Sequence, residues 1–349
     1  MRKRTKLLAA VLFLSVGTLA GCSSNKKDTN TAEGMAKIAQ MDYSGALTSF
    51  EAALAEGENA RLIYRGMGIA QIGLTEYAGA IESLNTCLQL SDGMIQDMDF
   101  DVNYYLATAY YKNGNIREAA DTYTAILQLK PEETDAHFLR GTALLALGEY
   151  EQAQQDFDRT LTLSNGNCDR LIAIYQALAE HGYKEIGQQY LQQALEERGD
   201  KLKNYDKGRI CYYLQDYAQA CTYLEKSKDS GTAEAYLYLG RSYEATGDYN
   251  YAASVYNSYI VKDTGNAEVY NQLGLCRMKQ REYEQALEAF QIAMNIENNG
   301  MMQTLQFNEI VAYEYLGQYR QAAVLMGNYV AMYPDDADAQ REYEFLKTR

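Results

Sequence analysis

Residues 267–294 read AEVYNQLGLCRMKQREYEQALEAFQIAM, and the spacing inside this stretch decides the fold. Tyr270, Leu273 and Gly274 share one side of a first helix, and Tyr283, Ala286, Phe290 and Ala293 share one side of a second, because residues three or four apart lie on one helical face. Outward from Ala286 in both directions a small residue recurs at Ala46, Ala80, Ala119, Ala153, Ala220, Ala252 and Ala322, with Ile186 as the one large member. Successive steps are 34, 39, 34, 33, 34, 32, 34 and 36 residues. A period of this length marks stacked helical hairpins, which predicts one elongated array from the 349 residues instead of two or three separate globules.

The other recurring positions have physical reasons of their own. In the first helix of a pair, Gly34, Gly68, Gly141, Gly208, Gly240 and Gly274 offer no side chain where the partner helix must come close. Tyrosines such as Tyr43, Tyr77, Tyr217 and Tyr283 stand three residues before the small residue, and a large apolar or aromatic residue such as Phe50, Leu84, Tyr256 or Phe290 stands four after it. Gly114, Gly148, Gly247 and Gly317 fall two residues before the second helix, where a left-handed backbone ends the first. The two prolines, Pro131 and Pro334, each lie twelve residues after a small residue, where the second helix must stop.

An aromatic, then Leu-Gly, then a later Ala followed four residues on by an aromatic resembles the tetratricopeptide repeat (TPR). The resemblance implies an all-α, right-handed superhelical solenoid of about nine TPR helix-turn-helix hairpins spanning 32–334, with a solvating C-terminal helix over 335–349. The fifth and ninth repeats diverge: Ile174 and Ile186 replace small residues in the fifth, which predicts a looser hairpin, and Ile310 takes the glycine place in the ninth. The 39-residue step predicts an exposed loop around Ser91–Met94.

At the N-terminus, basic residues 1–6, the apolar run Leu7–Val16 and the ending Leu19-Ala20-Gly21-Cys22 have the layout of a secretory signal. That ending resembles the lipobox of bacterial lipoproteins. The resemblance implies a signal peptide over 1–21, lipidation of Cys22 as the new N-terminus, a flexible tether over 22–31, and a chain held by lipid alone on the extracytoplasmic face of a bacterial cell membrane.

Formal charge is −15, and removal of Arg2, Lys3, Arg4 and Lys6 makes the mature chain −19, which disfavours nucleic acid. Cys87, Cys168, Cys211, Cys221 and Cys276 form no C-x-x-C pair and have no histidine at ligand spacing, so no metal or cofactor is expected; Cys211 and Cys221 share one hairpin and are expected as buried thiols. Asp97, Asp99, Asp101 and Asn103 alternate as in a calcium loop, but Val102 and Thr108 stand where that loop needs glycine and glutamate. His137 reads as a packing residue and His181 as a turn residue. No nucleophile motif or phosphate loop occurs, so the chain reads as non-catalytic.

Function then falls to the inner face of the first helices, which in the TPR family lines the groove. A stripe at i, i+4, i+7 joins Tyr205, Arg209 and Tyr212 in the sixth repeat, with Arg241 in the seventh and Tyr104, Tyr111, Phe138 and Tyr175 earlier. Aromatics with arginine suit peptide capture, which predicts a protein-binding scaffold with a protein or peptide partner. Two other roles fit the sequence: an envelope-assembly lipoprotein resembling pilus-secretin pilots or outer-membrane assembly factors, and a cell-wall glycan binder.

Overall fold

The computed structural model describes residues 28–228 and 231–349. Cys22, the signal peptide and the tether up to residue 27 lie outside the described residues. Among the described residues the chain is all-helical, with nineteen α-helices and one 3-10 turn at Gly199–Lys201. They run as hairpins: α1 Thr29–Ala39 and α2 Tyr43–Ala55; α3 Ala60–Gly73 and α4 Tyr77–Gln89; α5 Asp97–Lys112 and α6 Ile116–Leu129; α7 Thr134–Ala146 and α8 Tyr150–Leu163; α9 Cys168–Glu180 and α10 Lys184–Arg198. There follow α11 Asn204–Tyr213 and α12 Tyr217–Glu225; α13 Ala233–Thr246 and α14 Tyr249–Ile260; α15 Ala267–Gln280 and α16 Tyr283–Met294; α17 Met302–Tyr315 and α18 Tyr319–Met332; and a last helix, α19 Ala337–Leu346. Two compact units divide at Asp156 and Phe157, inside α8.

Five of the hairpins close in the same way. A Cβ added to Gly274 would stand 2.4 Å from the Phe290 ring, and one added to Gly240 would stand 2.3 Å from Tyr256. Gly34 meets Phe50, Gly68 meets Leu84 and Gly208 meets Leu224 at similar range. In every case the large residue is sixteen positions after the glycine and fully buried. The recurring alanines, Ala46 through Ala322, are buried without exception. Phe50 is also closed over by Gly66 of α3, so one ring joins two successive hairpins.

The fifth hairpin corrects the sequence reading. Its second helix begins one residue late, at Lys184, with Tyr183 as the N-cap, so the fourth residue of α10 is Gly187 and not Ile186. Gly187 is buried against Tyr175, whose ring and carbonyl oxygen would lie 3.0 and 3.2 Å from an added Cβ, while Ile186 is only half-buried. Bulk and glycine have exchanged helices: Tyr175 on α9 fills the space and Gly187 on α10 vacates it. Ile174, Leu178 and Leu191 are fully buried, so this hairpin is closed and not loosened.

All nine turns inside the described hairpins hold a left-handed residue two positions before the second helix: Gly114, Gly148, Gly182, Gly247 and Gly317, but also Met41, Thr75, Gln215 and Arg281. Glycine is therefore the cheaper occupant of a conformation that the packing imposes on any side chain. α6 ends at Leu129 and α18 at Met332, each two residues before a proline. The last helix buries Ala339 and Leu346 against Met326 and Tyr329 of α18, and Asp336 both caps α19 through the Ala339 amide (3.2 Å) and accepts from the Tyr329 hydroxyl (3.0 Å).

At the other end, α1 starts at Thr29, so residues 29–31 of the expected tether are helical. Buried Glu58 accepts from the Asn30 and Thr31 amides, both at 2.9 Å, and from the Thr31 hydroxyl at 2.6 Å. The loop 91–96 is exposed as expected, with Gly93 left-handed. Gly274→Ala is expected to lower the melting temperature: overpacking against Phe290 costs about 2 kcal/mol, more than the roughly 1 kcal/mol of helix propensity gained. Adding Phe290→Leu should recover part of that loss in thermal melts followed by circular dichroism.

Candidate functional site

In the first unit the expected groove residues separate. Tyr104 is a core residue: it is buried with Ala107, Tyr123, Ile126 and Ala136, its ring 6.1 Å from Tyr123, and its hydroxyl meets no acceptor. Burial, with Glu133 and Asp135 nearby, holds its phenol far above the ordinary value. Tyr111 and Phe138 remain half-buried on α5 and α7. His137, expected to pack, is instead an ion-network member: Nδ1 lies 2.7 Å from Asp156 Oδ1 and Nε2 lies 3.1 Å from the Pro131 carbonyl oxygen, while Arg140 grips the same buried Asp156 through two nitrogens at 2.7 and 2.8 Å. His181 does serve the turn after α9, with Nδ1 2.8 Å from the Ala177 carbonyl oxygen.

The second unit brings its residues together. Tyr212 packs edge-on against Tyr213, Tyr217 and Tyr238, with ring centroids 5.5, 5.7 and 5.2 Å away. The hydroxyls of Tyr213 and Tyr238 are 3.0 Å apart, and Gln176 donates to Tyr213 at 2.8 Å. Arg209 lies against this cluster, its guanidinium 5.1 Å from the Tyr205 ring and 5.8 Å from that of Tyr238. Only 11% of its side chain is exposed; Nη1 donates to Asp169 at 2.6 Å and the buried Nε meets no acceptor. Tyr175, on the other side of Tyr213 at 5.3 Å, is buried and belongs to the core.

Arg241 is more open. It donates to Glu268 at 3.0 Å and to Gln272 at 3.4 Å; Gln272 in turn donates to Glu244 at 3.2 Å, and the Tyr256 hydroxyl reaches the same Glu244 oxygen at 2.5 Å. Burial pushes the Glu244 carboxyl up. Of the residues expected on the groove, Tyr205, Arg209, Tyr212 and Arg241 lie here, with Glu244 of the same seventh-repeat stripe beside Arg241; Tyr213, Tyr238 and Gln272 join them without having been expected. The signal for Tyr213 was available at i+8 from Tyr205. Tyr238 and Gln272 enter from neighbouring hairpins, at separations that no single-helix stripe reports.

Other groups that invite chemistry are accounted for. Asp99 pairs with Arg61 and accepts from the Gln96 amide, and Asp101 pairs with Arg65 at 2.5 Å, so arginines hold two of the three carboxylates of the calcium-like sequence. All five described cysteines are buried and free; burial pushes Cys211 and Cys221 up to about 11, keeping them as thiols. No group of three His, Cys, Asp or Glu among the described residues is placed to hold a metal ion. Among the described residues, no helix is long and apolar enough to cross a membrane.

Near the C-terminus one carboxylate is under tension. Glu314 Oε1 is buried without a hydrogen-bond partner, and burial first, then Glu342, pushes its carboxyl up to about 7. The folded chain therefore favours the protonated form, and stability falls as pH rises from about 4.5 through 7. Glu314→Gln is expected to melt above the parent well above neutrality, with the difference vanishing in acid; equal melts at both ends would exclude this origin.

Family models of the tetratricopeptide repeat match residues 104–167, 205–267 and 267–299. Among solved structures, a tetratricopeptide repeat protein from Parabacteroides merdae is similar over 81% of this chain and 98% of its own, at 17% identity and a TM-score of 0.47. Yeast Tom70 is similar over 93% and 96% of the two chains, at 12% identity and a TM-score of 0.41.

Proposed function

We propose that this chain is a non-catalytic scaffold, anchored by lipid on Cys22 to the extracytoplasmic face of a bacterial cell membrane, that holds a protein or peptide partner against the inner faces of its first helices. The observation that carries the reading is the Tyr205–Arg209–Tyr212–Arg241 surface, where partly exposed rings and guanidinium groups are held in place by neighbouring hairpins. Side chains already ordered lose little entropy when a partner arrives. Arg209 and Arg241 are not bare cations: Asp169, with 73% of its side chain exposed, and Glu268 hold them. A partner's carboxylate or carbonyl would exchange with these groups, so selectivity arises from geometry more than from net attraction.

The tyrosines favour a peptide over a wall glycan. Sugar rings stack on open aromatic faces, whereas Tyr212, Tyr213 and Tyr238 cover one another edge to face. Anchoring would add effective concentration for any partner at the same membrane.

Cys22→Ala should move the protein from washed membranes to the soluble fraction; full retention would contradict lipid anchoring. In intact cells, Tyr205→Ser combined with Arg241→Gln should lower crosslinked partner recovery by about tenfold, a typical hot-spot loss. Unchanged recovery would place the partner elsewhere on the chain.

A further inference from the structure

The insert between α4 and α5 is where the repeat period breaks, and it presents apolar side chains to water. Met94 and Ile95 are 68% and 61% exposed, and Leu90 just before them is also exposed. The loop is nonetheless held in place. The Asp92 carboxylate accepts from the Met94 amide at 3.0 Å, the Gln96 amide donates to Asp99 at 2.8 Å, and Arg61 of α3 grips both Gln96 (3.2 Å) and Asp99. Large apolar residues on an ordered, solvent-facing loop are the usual form of a docking contact, because little entropy remains to be lost on binding.

Charge identifies the partner. Residues 28–156 carry twenty acids against seven bases, a formal −13. Six of those bases are engaged internally: Lys37 with Glu33, Arg61 with Asp99, Arg65 with Asp101, Arg117 with Glu149, Arg140 with Asp156, and Lys130 over the Phe100 ring. The unit that carries the loop therefore has a net negative field, which attracts cations and repels anionic lipid headgroups. We propose that Leu90, Met94 and Ile95 form a docking knob for a lysine- or arginine-rich amphipathic protein segment, which covers the apolar side chains while its cations face the acidic surface.

The test is fluorescence anisotropy with the full chain and a labelled amphipathic lysine–leucine peptide, compared with a lysine–serine peptide and a glutamate–leucine peptide. Binding of the first alone, weakened by salt and reduced about tenfold by Met94→Ser with Ile95→Ser, is the expected result. The substituted side chains are exposed, so circular dichroism should be unchanged, and Tyr205→Ser with Arg241→Gln should bind the peptide as the parent does. Equal binding of the lysine–serine or glutamate–leucine peptide, no binding of any peptide, or full binding by the loop variant would each overturn the proposal. So would loop-dependent binding of the chain to phosphatidylglycerol vesicles, which would make the knob a membrane contact.

Discussion

Five of the described hairpins depend on the contact between a backbone with no side chain and a large residue sixteen positions later. Helices joined by a short turn approach closely only where one of them gives up its Cβ, and the closing ring then fills the space with little void. Gly34, Gly68, Gly208, Gly240 and Gly274 do this on the first helix. The fifth hairpin shows that the requirement concerns volume and not position, since Gly187 on the second helix serves Tyr175 on the first. The left-handed turns follow from the same closure, which holds Met41, Thr75, Gln215 and Arg281 in a conformation such residues adopt at a cost.

The fold was legible because local periodicity and hairpin packing state the same thing. Alanine, tyrosine and proline positions read directly from the chain mark helix starts and stops within a residue or two. What escaped was a one-residue shift at Tyr183, because Ile186 and Gly187 are adjacent and only the N-cap decides which faces inward. The site was legible in part. Stripes on single helices named Tyr205, Arg209 and Tyr212 on α11 and Arg241 on α13, yet such a stripe does not report burial, so Tyr104 and Tyr175 passed as surface when they are core. Nor does it report partners: Asp169 for Arg209 and Asp156 for His137 stand 40 and 19 residues away.

Electrostatics show a division of labour. The arginines of an acidic chain are spent on its own structure, as ties between successive hairpins at Arg61, Arg65 and Arg241 and as a ring-stacked brace at Arg209. Of the acids left over, Glu58 and Asp336 are buried, and Glu244 and Glu314 half-buried, at particular places in the fold. A molecule arranged this way repels most anionic surroundings.

The five closures that run from a first-helix glycine to the residue sixteen positions later lie inside single hairpins, whereas the steps between hairpins vary from 32 to 39 residues. This has a genetic consequence. Insertions or deletions at hairpin junctions leave every sixteen-residue closure intact, and an entire unit of about 34 residues is a self-consistent piece to copy or lose. A gene of this kind can lengthen, shorten or acquire a new loop in single events, with most intermediates still able to fold.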